Sequence, residues 1–447
     1  MIMNKDSLLR SILDAGIVGE GGAGFPAHVK YDTQVDTVIA NGCECEPLLH
    51  TDQHIMRTRA ADIVVAMQAI VSVTGATRGV IGIKRKYTEI AKIFADCIEG
   101  TGLELVQLDN FYPAGDEQTL VYEVTGKTIP PLGLPKDVGA VVANVGTLAG
   151  VADAMKGTPV THKIVTVTGN VGSPAVIRVP LGTKLSECLA HCGGATIADP
   201  VYILGGPMMG RMVDSAEEFA AKVVTKTTGG LIILPRGHYL HTMASRDLQS
   251  MQRQAATACI QCRLCTELCP RYLIGQDFQT HKVMRAFGGG GDVALGAMQA
   301  ALCCECGVCE LFSCPMGLSP RRINAALKAR FRENKVPYEG SREVIPAQSK
   351  VRPYRKVPVP RLALKIGIDK FMNIHPDFTG DYTPAEVRIP LNQHIGAPAV
   401  AQVKAGDFVQ VGQLVGAVPQ GALGATVHAS IAGTVVEVGN EIVIKGV

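Results

Sequence analysis

Two short stretches determine much of the fold: residues 259–270, CIQCRLCTELCP, and residues 303–315, CCECGVCELFSCP. In each stretch three cysteines are spaced by two intervening residues, and a fourth cysteine stands directly before a proline. Three thiolates at this spacing can wrap one [4Fe–4S] cluster, while the fourth is directed away and ligates a second cluster. The two stretches therefore predict a helical, ferredoxin-like domain that carries two clusters and transfers electrons.

The predicted ligands form two sets that exchange one cysteine. Cluster one takes Cys259, Cys262, Cys265 and Cys314, and cluster two takes Cys303, Cys306, Cys309 and Cys269. Structural zinc sites also use C-x2-C pairs, and disulfides are a third interpretation. Triplets rather than pairs favour the clusters over zinc. Cys304, which lies outside the pattern, is expected to be a small buried apolar residue.

Length and charge limit the classes of function. A chain of 447 residues is long enough for three or four domains, and its net charge of +3 suggests no polyanionic partner, which argues against nucleic acid. Residues 1–20 carry charged side chains among the apolar ones, which excludes a secretory signal, and no apolar run reaches membrane-spanning length. Because many free thiolates are needed as ligands, we expect a reducing, cytoplasmic location.

The pattern of residue types changes several times along the chain. Residues 1–158 alternate strand-like and helical segments, which predicts a parallel α/β layer. Residues 159–240 predict a small sheet around one helix, and residues 241–340 predict the helical cluster domain. Residues 341–383 are rich in Pro, Lys and Arg, as in an extended linker or a surface strap. Residues 384–447 predict a small β sandwich from short alternating strands.

A glycine-rich loop is the second chemical feature. Residues 19–26 read GEGGAGFP, and Lys30 follows. Closely spaced glycines let the backbone approach a phosphate, and a nearby lysine complements its charge. The loop is not the dinucleotide fingerprint, because no clear strand precedes it. A glycine-rich turn without a cofactor remains the alternative.

Two acidic stretches complete a pattern. Residues 41–47 read NGCECEP, and residues 112–117 read YPAGDE. Together with the glycine loop they resemble the flavin-binding subunit of respiratory complex I. The resemblance implies that FMN would be surrounded by Gly19, Gly21, Gly22, Gly24, Lys30, Asn41, Glu44, Tyr112, Gly115, Asp116 and Asn144. It also implies that Phe25, Glu46 and Glu117 would face the nicotinamide nucleotide, with both glutamates in catalytic roles.

The chain departs from that family at positions that matter for the nucleotide. Cys43 replaces an expected aspartate, Gly146 replaces an expected glutamate, and residues 129–132, IPPL, lack the phenylalanine that helps to clamp NADH. FMN is therefore better supported by the resemblance than NADH.

The order of the modules resembles the RnfC-like proteins, and among them the cobalamin reductases of propanediol-utilisation microcompartments. The resemblance implies a multidomain α/β protein: a complex-I-like FMN domain, a β-grasp (SLBB) domain, a two-cluster ferredoxin-like domain and a C-terminal barrel-sandwich hybrid. It implies electron transfer from NADH through FMN and two [4Fe–4S] clusters to a corrinoid, inside a bacterial microcompartment.

The same resemblance suggests an adenosyltransferase that processes cobalamin, and shell proteins of the microcompartment, as partners. No transmembrane segment is expected. The alternative is an electron-relay or docking subunit of an Rnf-type or microcompartment complex that does not use cobalamin as its acceptor.

Overall fold

The computed structural model describes residues 3–289, 295–348 and 350–447. The first domain is a four-stranded parallel sheet in the order β3-β2-β1-β5, flanked by helices. Its elements are α1 (Lys5–Asp14), α2 (Ala27–Tyr31), β1 (Thr37–Gly42), α3 (Thr51–Thr58), α4 (Ala60–Thr74), β2 (Arg78–Lys84), α5 (Thr88–Ile98), β3 (Glu104–Leu108), β4 (Phe111–Tyr112), α6 (Glu117–Thr125), β5 (Ala140–Asn144) and α7 (Val145–Met155).

The parallel sheet follows from its composition. Strands β1, β2 and β5 are short runs of buried apolar residues without polar alternation, as expected where helices cover both faces. Helix α1 packs into the same core through Leu8 and Ile12, which are fully buried. The carboxyl ends of the parallel strands meet at one edge, where open α/β sheets bind ligands.

The second domain is a mixed six-stranded sheet in the order β12-β7-β6-β10-β8-β9. Its elements are β6 (His162–Gly169), β7 (Ala175–Pro180), α8 (Leu185–His191), β8 (Pro200–Leu204), β9 (Arg211–Val213), α9 (Ala216–Ala220), β10 (Gly230–Pro235) and α10 (Tyr239–Ala244). Helix α8 packs on one face through Leu185, Cys188 and Leu189. This arrangement of a sheet around a helix is the predicted β-grasp.

The third domain is helical around the cysteine stretches. Its helices are α11 (Leu248–Ala258), α12 (Leu264–Glu267), α13 (Pro270–Leu273), α14 (Thr280–Gly288), α15 (Leu295–Met298) and α16 (Pro320–Glu333), with a 3-10 turn (Gln299–Leu302) and a π-helix (Val308–Ser313). A proline at the first position of α13 and of α16 fixes where each helix begins.

Residues 341–383 form a packed strap rather than an extended linker. They contain α17 (Arg352–Arg355), β11 (Val357–Pro358), α18 (Val359–Lys365) and β12 (Asp377–Asp381). Strand β11 pairs with β4 of the first domain, and β12 joins the sheet of the second domain. Leu362 and Ile366 are fully buried. The Pro and Lys content indicated a solvent-exposed segment, but the apolar residues between them hold the strap against the protein.

The C-terminal domain is a small β sandwich, as predicted. Its strands are β13 (Glu386–Pro390), β14 (Val400–Ala401), β15 (Phe408–Val409), β16 (Leu414–Ala417), β17 (Val427–His428), β18 (Gly433–Val438) and β19 (Glu441–Gly446). They form one four-stranded and one three-stranded sheet around a single apolar core. None of the helices in the described ranges combines the length and the hydrophobicity that a membrane crossing requires.

Candidate flavin and iron–sulfur site

The predicted flavin residues gather at the carboxyl edge of the parallel sheet. The glycine loop lies beside the end of β5, where a Cβ added to Gly21 would come within 3.2 Å of the Asn144 side chain. Asn144 caps α7 by accepting a hydrogen bond from the Gly146 amide, and its amide group donates to Asp52 at 2.8 Å. Gly22 has open space where a side chain would stand, so the backbone is accessible there.

The two acidic stretches interlock at the end of β1. Asn41 donates to the Gly115 carbonyl at 2.8 Å and accepts from the Cys43 amide at 3.1 Å. The Gly115 amide in turn donates to the Cys45 sulfur. A side chain at Gly115 would clash with the Cys43 carbonyl oxygen, so glycine is required for this close approach.

A cavity opens beside this junction, between the ends of β1 and β2 and the strap. Its lining includes Glu44, Glu46 and Lys84, with Met372 and His375 of the strap on the far side. Lys84 is only 2% exposed. Sequence reasoning did not select Lys84; its position directly at the end of a buried strand was the available signal.

Three carboxyl groups near the end of β1 have raised pKa values. Burial raises the pKa of Glu46 to about 7 and that of Asp52 to about 6. Burial, followed by the negative charge of Asp52, raises the pKa of Glu44 well above its ordinary value. The edge can therefore hold a proton near neutral pH, which is a common property of functional sites.

The structure places the three residues expected at the nicotinamide in different surroundings. The Glu46 carboxylate accepts a hydrogen bond at 2.8 Å from the Met208 amide of the β-grasp domain. Glu117 forms an ion pair with Lys30 at 2.8 Å. Phe25 is 36% exposed. Lys30 and Glu117 thus pair with each other, whereas Glu46 bonds to a neighbouring domain.

Four cysteines that the sequence assigned to cluster one line a single cavity: Cys259, Cys262, Cys265 and Cys314. Three of them come from one stretch and Cys314 from the other. Within the described ranges no three His, Cys, Asp or Glu side chains converge as ligands of one metal ion. The four thiols instead surround a space, so the residues present fit a cluster.

The cluster two cysteines are more deeply placed. Cys269, Cys303, Cys306 and Cys309 are all buried, whereas the ligands of cluster one are half-buried or, for Cys262, exposed. The charges of Cys303, Cys265 and Cys269 act on the Cys309 thiol, so Cys309 lies near two other cluster two cysteines and also near Cys265 of cluster one. Cys304 was expected to be a small buried apolar residue. It is instead half-buried, and its hydrogen bond with Cys306 lowers its pKa to about 7.

The two ligand loops share a backbone pattern. In the first loop Gln261 and Arg263 have positive φ angles of 54° and 68°; in the second, Glu305 and Gly307 at the equivalent positions have 60° and 79°. Left-handed residues between αR-like ones turn successive amides inward and create a concavity for an anion. The Glu305 amide already donates to Cys303 sulfur at 3.3 Å. Such bonds set a cluster's reduction potential.

Two contacts join the flavin edge to cluster two. The Tyr112 hydroxyl donates to the Cys306 carbonyl at 2.7 Å. Asp116 accepts two hydrogen bonds from Arg271, which is 8% exposed and lies two residues after Cys269. Sequence reasoning selected Tyr112 and Asp116 as flavin contacts and missed Arg271, because no local pattern links positions 116 and 271.

Family models match four parts of the chain. Residues 12–153 match the Nuo51 FMN-binding domain, residues 164–211 the SLBB domain, residues 258–319 the 4Fe-4S dicluster domain and residues 379–446 the RnfC barrel sandwich hybrid domain. These matches confirm the predicted fold class and the two kinds of cofactor, FMN and [4Fe–4S] clusters.

Similar proteins extend over almost the whole chain. Cobalamin reductase PduS of Salmonella typhimurium is 43% identical over 97% of this chain and 95% of its own length, and that of Citrobacter freundii is 42% identical over 98% and 96%. A subunit of the Na(+)-translocating ferredoxin:NAD(+) oxidoreductase complex of Acetobacterium woodii is 34% identical over 61% of this chain and 59% of its own length.

Among solved structures, an NAD+-reducing [NiFe]-hydrogenase in the H2-reduced state has a similar fold. Its TM-score is 0.50 at 20% identity, over 78% of this chain and 66% of that one. The similarity in sequence to the cobalamin reductases extends through all four domains and the strap, and its extent confirms the resemblance inferred from the motifs. The chain therefore belongs to the PduS family, within the wider group of RnfC-like proteins.

Proposed function

We propose that this protein is a reductase that transfers electrons from NADH to a corrinoid through FMN and two [4Fe–4S] clusters. The observation that carries the proposal is the direct bonding of the flavin edge to the cluster two loops, through Tyr112 with Cys306 and Asp116 with Arg271. When bound, FMN accepts a two-electron hydride and releases single electrons, which clusters can carry.

The chain's own residues have three tasks in this proposal. The glycine loop would hold the phosphate of the flavin, because its backbone amides complement an anion. Lys30, which is paired with Glu117 in this structure, would add its charge once the flavin is bound. Asn41, Glu44, Gly115 and Asn144 would shape the pocket at the strand ends. The eight cysteines would hold the clusters in the crossed sets predicted from the spacing.

Burial gives the electron route a direction. The cluster two cysteines are buried against the flavin edge, and the cluster one cysteines lie nearer the surface, with Cys262 exposed. Electrons would therefore pass from the flavin edge to cluster two, then to cluster one, and leave there. The proposal also gives Glu46 and Glu117 roles that face the substrate. The pKa of Glu46 is raised, Glu117 is paired with Lys30, and both residues lie at the flavin edge.

We extend the proposal to the protein's setting. The relatives named as cobalamin reductases support a corrinoid partner, and we infer a cytoplasmic location inside a bacterial microcompartment. A cobalamin adenosyltransferase would take the reduced corrinoid, and shell proteins would be neighbours. Domain limits at residues 158, 240, 340 and 383 remain those predicted from the sequence.

The main experiment is anaerobic NADH oxidation with and without hydroxocobalamin, with flavin and iron content measured on the same sample. We expect NADH to bleach the flavin and cobalamin to restore its absorbance. If NADH does not bleach the flavin, NADH is not the electron donor and that part of the proposal is wrong. Bleaching without cobalamin reduction would favour the alternative, a relay subunit with another acceptor.

Gly22 offers a sharper test of the flavin site. A Cβ there meets nothing within 4 Å, and its φ is not positive, so Gly22→Ala should fold normally. If the backbone approaches the flavin phosphate at this point, the methyl group should weaken FMN binding at least tenfold. Gly439→Ala, which also meets nothing, is the matched control. Equal FMN affinity in both variants would show that the phosphate does not bind at this part of the loop.

A further inference from the structure

The mouth of the cluster one cavity has a distinctive surface. Ile260 and Met316 line the cavity and are 63% and 46% exposed, and Leu264 is 37% exposed. Cys262 is the exposed member of the cluster one set. Large apolar side chains at this exposure, grouped around a redox centre, form a small hydrophobic patch of the kind that marks an interaction site.

The exposed charged side chains beside this patch include two positive ones. Arg263 lies in the ligand loop and lines the cavity, and Lys282 follows His281, another lining residue. Both are exposed. The charged groups that face His281 are Arg263, Lys282 and Glu267. Glu267 forms an ion pair with Arg355, so the side chains that surround His281 carry a net positive charge.

We propose that this mouth, defined by Ile260, Arg263, Leu264, Lys282 and Met316, is the docking surface for an acidic protein that accepts single electrons. This inference rests on the proposed function and adds a protein partner to it, which would receive electrons at cluster one before they reach the corrinoid. An apolar centre supplies contact area and a positive rim steers an acidic partner. A free cob(III)alamin, which carries no net negative charge, would gain nothing from this rim.

The experiment uses the complete protein with its cofactors, reduced beforehand with dithionite and then mixed rapidly with a protein acceptor. Reduction by dithionite makes the result independent of NADH and of the flavin site. The soluble domain of cytochrome b5 is the acidic probe and cytochrome c the basic one. Affinity for oxidised cytochrome b5, measured by calorimetry, is the second readout and needs no electron transfer.

The variant is Arg263→Glu with Lys282→Glu. Its control is Lys404→Glu with Lys445→Glu, which makes the same change in net charge at exposed positions of the sandwich domain. Electrostatic steering changes association rates by factors of about 10 to 1000. We expect the mouth variant to reduce cytochrome b5 at least tenfold more slowly at low ionic strength, to reduce cytochrome c faster, and to bind cytochrome b5 more weakly.

The effect should shrink at 1 M NaCl, where the screening length is about 3 Å. If the double variant binds less iron, Lys282→Glu alone replaces it in the test, because Lys282 lies outside the ligand loops. Equal rates for the mouth variant and its control at low salt would overturn the proposal. So would an equal, salt-independent slowing of hydroxocobalamin reduction, because the mouth would then receive the free corrinoid.

Discussion

The ion pair between Arg271 and Asp116 should be the most sensitive single contact between the flavin edge and the cluster domain. Arg271 and Asp116 are 8% and 15% exposed, and the guanidinium makes two hydrogen bonds to the carboxylate. Arg271→Ala would leave the Asp116 carboxylate buried without its partner. Breaking a buried pair from one side costs about 3–5 kcal/mol.

The matched control is Arg57→Ala. Arg57 pairs with Glu89 at 2.9 Å, but the two side chains are 42% and 66% exposed. An exposed pair of this kind contributes about 0.2–1 kcal/mol. Because a multidomain chain does not unfold in one step, the assay is anaerobic urea unfolding followed by the cluster absorbance, which reports on the cluster domain.

The pair has a defined pH window. Burial alone would raise the pKa of Asp116, but the charge and hydrogen bonds of Arg271 lower it below its ordinary value. A carboxyl with a depressed folded pKa stabilises the fold above its unfolded pKa, near 3.9, and loses that contribution as the pH falls through the folded value. In Arg271→Ala the Asp116 carboxyl stays buried without Arg271, so its pKa is raised instead. The difference between wild type and Arg271→Ala should therefore be largest at pH 8 and should begin to shrink above pH 4, as the Asp116 carboxyl of the variant takes up a proton.

A double variant completes the test. Replacing both residues with apolar ones, Asp116→Leu and Arg271→Met, removes the unpaired charge and should recover most of the loss. Two results would contradict the reasoning: a loss for Arg271→Ala no larger than that for Arg57→Ala, or a double variant as unstable as the sum of its single changes.

Three further outcomes are expected. Cys314→Ser should lose about half of the iron, since one of the two clusters loses a ligand, whereas Cys304→Ser should keep all of it. Assays of iron and acid-labile sulfide compare the two variants. Equal losses would contradict the assignment of the ligands. Tyr112→Phe, which removes the hydroxyl bonded to the Cys306 carbonyl, should shift the midpoint potential of one cluster and leave the other unchanged in a redox titration followed by EPR. Burial lowers the pKa of Lys226 to about 7, so between pH 7 and 10 the unfolded chain binds more protons than the folded protein. The free energy of unfolding should therefore rise with pH across that range. Lys226→Met should remove this dependence on pH, and an unchanged dependence would assign it to other groups.

Local patterns in the sequence predicted the elements of the first domain well. The alternation of strand-like and helical segments predicted within residues 1–158 is observed, for example in the order β1, α4, β2 and α5. These segments are long, apolar and bounded by breakers, so their periodicity decides their structure. The strap was harder to predict, because its prolines resemble a linker while its buried leucine and isoleucine residues are recognisable only against the surface they cover.

The candidate site also has parts that local sequence patterns predict and parts that they do not. The spacing of the cysteines predicts the ligand loops, because the left-handed turns at residues 261, 263, 305 and 307 depend only on neighbouring residues. Glu46 shows the limit. The resemblance to the complex I subunit implies that Glu46 faces the nicotinamide nucleotide, which stays a prediction. No local pattern indicates that its carboxylate also accepts a hydrogen bond from the Met208 amide, 162 positions away.

The sequence by itself determined that this protein carries two clusters and a flavin-type loop, since each is encoded within a dozen consecutive residues. Only the tertiary structure decided which cluster lies against the flavin edge and which opens to the surface. That choice depends on contacts such as Tyr112 with Cys306 and Asp116 with Arg271, which join residues more than 150 positions apart. Packing among whole domains selects such pairs, and no local periodicity records them.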